Sequence, residues 1–214
     1  MMEYFLKGGP IMYPLLLCSF ISLTVVIERI IFWIREERRK TPTLVDEILN
    51  LSEKGDYQKA VEIASSSGDY VAKVLFCGLV HRDFSLISAL EMAASQEIQR
   101  MKRYLPILDT MITMAPLLGI LGTVMGIIDS FDLLGSTGIE HPRAVTSGIA
   151  QALITTATGL AIAILTLIPY NYFLSKTDEA ISNMEKYGTN LEIVFEKNKS
   201  GSQGIDNIKT DVHL

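Results

Sequence analysis

The chain is poor in the residues that do covalent, metal or redox chemistry. Its 214 residues include only two cysteines and three histidines. Cys18 falls in an apolar run and Cys77 in a polar region, so neither a disulfide nor a shared metal site is expected. His81, His141 and His213 stand apart from one another and from any cysteine or carboxylate pair. No nucleophile, metal-ligand or phosphate-loop motif is present, and basic and aromatic residues are not clustered as a nucleic-acid groove requires. The expectation is therefore a protein that is not an enzyme, holds no cofactor or metal and binds no nucleic acid.

Charge is also scarce in three long stretches. The composition is 49% hydrophobic with a mean hydropathy of +0.30, and the apolar residues are concentrated, as a bilayer demands and a soluble core does not. Most of the charged residues lie outside these stretches, in the polar segments. The first run, 11–34, is long enough to span. Its basic residues follow it (Arg35, Arg38, Arg39, Lys40), and no small-residue cleavage site closes it, which argues against a signal peptide. Glu28 and Arg29 near its inner end are expected to pair only loosely as sequence neighbours, or to snorkel.

The second run, 105–134, is preceded by Arg100, Lys102 and Arg103. The third, 144–174, is followed by Lys176. Positive flanks are retained on the cytoplasmic side. All three then agree on a periplasmic N-terminus (1–10), a periplasmic loop (135–143) and a cytoplasmic C-terminus. Residues 35–104 become a cytoplasmic helical domain. Gly55 and Asp56 read as a helix stop followed by a new N-cap, which predicts short helices over 44–54, 57–66 and 70–80. From Phe84 the periodicity continues into the membrane, with a bend or break near Pro106 or Pro116. The third span is expected to project as a cytoplasmic helix over 175–196, and the polar tail, 197–214, to be disordered.

Small and hydroxyl residues crowd the second and third spans where lipid-facing positions would carry large aliphatic side chains. Pro116, Gly119, Thr123, Gly126 and Ser130 recur at steps of three and four and form one stripe, and Gly122 and Gly126 form a GxxxG pair. The third span has a polar stripe (Ser147, Gln151, Thr155, Thr158) beside a small-residue stripe (Gly148, Ala152, Thr156, Gly159, Ala163). Glycines at such spacing let helix backbones approach, within one subunit or between subunits. Thr123 and Thr156 have two uses: bonding their own helix or facing a polar path. Gln151 needs an aqueous interface, a polar cavity or a neighbouring helix, because its amide is costly to leave unsatisfied in lipid. No Asp, Glu, Lys, Arg or His lies near the middle of any span, so an ion path that needs a titrating group must borrow it from another chain.

Ala115–Phe131 reads APLLGILGTVMGIIDSF and Gly148–Asn171 reads GIAQALITTATGLAIAILTLIPYN. These helices resemble the signature helices of the MotA/TolQ/ExbB proton-channel family, most closely its ExbB and TolQ branch. The likeness extends to the Glu28-Arg29 pair, the Glu53-Lys54-Gly55-Asp56 segment and the three-span arrangement. It implies an all-α membrane protein that assembles as a homopentameric ring in the bacterial inner membrane. It also implies an ExbD- or TolR-like single-span partner carrying a transmembrane Asp, and a TonB- or TolA-like transducer downstream. Proton-motive force would then drive cell-envelope transport or maintenance, or, in a MotA-like variant, a motility stator. By motif, Thr123 and Thr156 match pore-facing threonines, with Thr155 and Gln151 beside them, and Pro116, Gly119, Gly122, Gly126 and Gly159 serve helix packing. Gln151 departs from the GIAEAL pattern of ExbB, where a Glu is common. A non-conducting membrane scaffold is the competing reading. A secondary transporter is disfavoured by the lack of inverted repeats or interrupted spans.

Overall fold

The computed structural model describes residues 8–137 and 142–211. Expectations for 1–7, for the middle of the 135–143 loop and for the last three residues lie outside them. Among the described residues seven helices follow in order: α1 Met12–Glu37, α2 Pro42–Glu53, α3 Tyr57–Ser66, α4 Tyr70–Val80, α5 Arg82–Lys102, α6 Leu105–Thr137 and α7 Pro142–Asp211. The fold is all-α, with no strand among the described residues.

Among the described residues three stretches, in α1, α6 and the first half of α7, are long and apolar enough to cross a membrane, with mean hydropathy of 2.0 to 2.2. Only 28% of each apolar window is buried inside the chain, so most of that surface must meet lipid or other subunits. Helices suit this solvent because every backbone polar group is satisfied within the segment.

The chain divides into two compact units, Met1–Ile31 with Tyr104–Leu174, and Phe32–Arg103 with Ser175–Leu214. In the first, apolar unit, Met12 and Leu15 of α1 are buried with Ala115 of α6, flanked by Leu118 and Ile162. Arg29 is 2% exposed. Its Nε and Nη2 donate to the two carboxylate oxygens of Glu28 at 2.5 and 2.7 Å, and its guanidinium lies 5.5 Å from the centre of the Tyr104 ring. The loose pairing expected of sequence neighbours is thus replaced by a two-pronged one. Burial explains it, since a guanidinium removed from water must find its acceptor at hand.

Tyr104 has φ of +67°, a left-handed conformation that costs a non-glycine residue about 1–2 kcal/mol. Pro106 supplies the reason for a break here. It has no N–H to give the carbonyl of Lys102, so the helix ends and restarts, with Ile107 N and Leu108 N donating to Tyr104 O. Of the two prolines considered for a bend, Pro106 lies beside the break, while Pro116 sits inside continuous α6.

In the second, polar unit the short helices obey their punctuation. Gly55 takes φ of +78°, and Asp56 caps α3 by accepting from Lys59 N at 3.4 Å. Asp69 caps α4 by accepting from Val71 N at 2.8 Å, and its other oxygen accepts from Thr41 N at 2.8 Å, which ties the entry to α2 to the start of α4. A kink at Ser85 (φ −162°, ψ 96°) interrupts α5 near its start. Burial works against a charged Lys40, but the hydrogen bond it donates to Glu37 and the nearby Glu179 outweigh it and raise its ammonium above the ordinary lysine range.

The polar end of α7 packs on these helices. Asn183 donates to the Tyr70 hydroxyl at 3.3 Å. Asn198 donates to the Ser52 carbonyl and the Tyr57 hydroxyl, both at 3.0 Å. Helix α7 continues to Asp211. Asn198, at the start of the 197–214 tail, is thereby tied to α2 and α3.

Candidate functional site

Helices α6 and α7 meet along glycines. A Cβ added at Gly119 would lie 3.0 Å from Thr156 Cα and 3.1 Å from the Thr155 carbonyl oxygen. One at Gly126 would lie 2.8 Å from the Gly148 carbonyl oxygen. At Gly159 it would strike the Ala115 carbonyl oxygen and lie 3.2 Å from Gly119 Cα. Backbone therefore rests on backbone over about three turns, a contact that lipid-facing side chains would prevent. Gly122 does something different. Its missing side chain leaves the notch occupied by Thr155, whose Oγ1 would be 2.5 Å from an added Cβ. Pro116 follows Ala115, the residue whose carbonyl lies against Gly159, and is half-buried.

Two hydroxyls bridge this seam. Thr123 Oγ1 and Thr156 Oγ1 are hydrogen-bonded to each other. Thr156 donates to the Gly119 carbonyl across the seam at 2.9 Å. Thr123 has three acceptors in reach: the Thr156 hydroxyl, the Ala152 carbonyl at 3.2 Å and the Gly119 carbonyl at 3.3 Å. A hydroxyl with several acceptors can reorient without losing its bond, and each oxygen keeps a lone pair to accept with. Both threonines are half-buried. Chemically the pair can hydrate, or pass a proton to, a group presented from outside the seam, but it cannot hold a charge itself.

The remaining polar residues divide. Thr155 is fully buried in the seam and donates to the Ala152 carbonyl of its own helix at 2.8 Å. Thr158 and Thr166 likewise bond carbonyls one turn back, at 2.7 Å each. Ser130, buried against Gly148, donates to Gly126 O at 2.8 Å. Gln151 is half-buried, and its amide lies against Gly9, which has φ of +70° and no room for a side chain. The sequence-predicted residues are thus brought together only in part. Thr123, Thr156 and Thr155 share the seam with the glycines, whereas Gln151 belongs with the segment before α1. Sequence reasoning missed the Arg29–Tyr104 contact, for which no periodic signal exists.

Residues 70–186, more than half of the chain, match the MotA/TolQ/ExbB proton channel family. The chain belongs to that family. A Synechocystis sp. biopolymer transport protein described as ExbB-like 1 is 36% identical over 91% of this chain and 79% of its own length. A second from the same organism, ExbB-like 3, is 32% identical over 90% of this chain and 93% of its own. The Tol-Pal system protein TolQ of Pseudomonas aeruginosa is 33% identical over 51% of this chain and 47% of its own. The family match starts with α4 and ends inside the polar part of α7, so it contains the whole α6–α7 seam. This is a membrane protein of a proton channel and transport family, and the Thr123–Thr156 pair lies within the matched region.

Proposed function

We propose that the chain is a ring subunit of an ion-driven motor in the bacterial inner membrane, homopentameric and paired with an ExbD- or TolR-like single-span protein. One observation carries the reading. The seam holds a reorientable hydroxyl pair, while no acid or base occurs between Asp109 and Asp129 of α6 or between Arg143 and Lys176 of α7. The titrating carboxyl then belongs to the partner's membrane helix, where Thr123 and Thr156 serve its proton, Thr155 fills the seam behind them, and Gln151 stands near one mouth of the path. The basic flanks favour a periplasmic N-terminus and cytoplasmic C-terminus. Each proton crossing about 100 mV releases roughly 2.3 kcal/mol, so several crossings supply one useful displacement. That work would energise envelope transport or maintenance through a TonB- or TolA-like transducer.

The test is proton flux, read with a pH-sensitive dye in liposomes containing the chain and its co-expressed partner. Thr123→Ala and Thr156→Ala are each expected to lower flux by about 100-fold, at the lower end of what a positioned proton-transfer group contributes. Assembly with the partner should remain intact, and Thr123→Ser should retain most of the flux. Unchanged flux in both alanine variants would sink the pathway and favour the non-conducting scaffold. That second reading has its own observation, since both threonine hydroxyls have backbone carbonyls in bonding reach and packing alone accounts for them. Gln151→Glu, which restores the ExbB pattern at a half-buried position, is expected to assemble and conduct like the parent. A variant that fails to reach the membrane would count against placing Gln151 at the mouth.

A further inference from the structure

The polar unit contains a groove of about 460 Å³ between α5 and the polar stretch of α7. Its floor is apolar, formed by Val74, Leu90, Ile98 and Met184, of which the first, second and fourth are 1%, 7% and 3% exposed. Ile87 at one end is 47% exposed. Three carboxylates, Glu91, Glu185 and Glu192, also line it, and no lysine or arginine is among the lining residues. Gly188 also lines it and is buried, yet a Cβ built there would meet nothing within 4 Å. The absent side chain therefore opens into the groove. The walls run over 87–99 and 181–192, each about 18 to 20 Å of helix.

We propose that this groove is a docking site for a basic amphipathic helix of another protein, about three turns long. A helix laid between two helices offers its apolar stripe to the floor, and lysines or arginines beside that stripe meet the three glutamates. The absence of cations from the lining selects against an acidic partner, because like charges placed together at an interface are repelled. The groove is formed within the polar unit alone and does not depend on ion conduction.

The test uses the full chain in zwitterionic nanodiscs and a fluorescein-labelled helical peptide carrying leucine on one face and lysine on the others. A leucine–glutamate counterpart and empty nanodiscs are the controls, and binding is read by fluorescence anisotropy. The lysine peptide should bind, and the glutamate peptide should not. Gly188→Trp fills the groove and should weaken binding by about tenfold or more, the size of effect that blocking a central pocket produces, whereas Gly188→Ala should leave binding within about twofold. Combined Glu91→Gln and Glu185→Gln lie on the rim, spare the floor, and should weaken binding several-fold while reducing its salt dependence. Equal binding by parent, Gly188→Trp and the glutamine variant would overturn the proposal. So would loss of self-association in Gly188→Trp without any effect on the peptide, since that outcome assigns the groove to a second copy of this chain.

Discussion

Gly159→Leu is expected to abolish stable folding of the apolar unit, with the protein recovered from membranes at a small fraction of the parent level and melting far below it. A leucine at this position would drive into the Ala115 carbonyl and approach Gly119 Cα. Those atoms are main chain in a neighbouring helix, so no rotamer change can relieve the clash. Overpacking of adaptable cores costs about 1–3 kcal/mol. Here the seam itself must open, which also separates Thr156 from the Gly119 carbonyl and Thr123 from Ala152. Gly159→Ala should show the same defect in milder form, because its one methyl already meets the Ala115 carbonyl. The control is Gly188→Ala, which adds the same methyl into open space in a helix of the polar unit. It should be neutral or stabilise by up to about 1 kcal/mol through helix propensity alone. Melting curves by size-exclusion fluorescence on the detergent-extracted proteins decide the matter. Equal melting of Gly159→Leu and the parent would show that the two helices do not pack as described.

The contrast between those glycines also shows what was readable in the chain. Gly119 and Gly159 announce themselves by helical spacing in long apolar runs, and the membrane solvent leaves small-residue packing as their main use. Gly55 and Asp56 were equally legible, since a left-handed glycine followed by a capping aspartate is local chemistry. Rotation about a helix axis was not. Thr155 shares a polar stripe with Gln151 by spacing, yet the structure turns Thr155 wholly into the seam behind Gly122 and sets Gln151 against Gly9. Adjacent stripes on one helix differ by about 100°, and only tertiary packing chooses between them. Tyr104 and Arg29 were out of reach for another reason. A positive φ at a tyrosine and a buried arginine chelated by its own neighbour are held by surrounding structure against local preference, so no local rule foretells them. Composition does not decide the tail, because a polar sequence such as that around Asn198 is compatible with disorder and with packing on α2 and α3.

Arg100→Ala is the substitution in the polar unit with the largest expected effect, a loss of about 3–5 kcal/mol, the range for stranding one member of a buried ion pair. Glu36 is 2% exposed and accepts from Arg100 Nη2 at 2.7 Å. The same guanidinium lies 2.6 Å from Glu97 and 5.3 Å from the centre of the Phe32 ring. Alanine removes all three contacts and leaves the Glu36 carboxylate buried without its cation. Glu36→Gln should cost less, since an amide oxygen still accepts from the guanidinium and Arg100, one-third exposed, keeps access to water. The paired change Glu36→Leu with Arg100→Met should recover most of the loss, as apolar replacement of a buried pair is often neutral. The double-mutant cycle, read by urea or thermal unfolding of the membrane-extracted protein, therefore predicts strong coupling between the two positions. Additive losses would mean that the carboxylate is solvated and the pair marginal. Strong coupling would identify the Glu36–Arg100 contact as a fixed joint between the end of α1 and the end of α5.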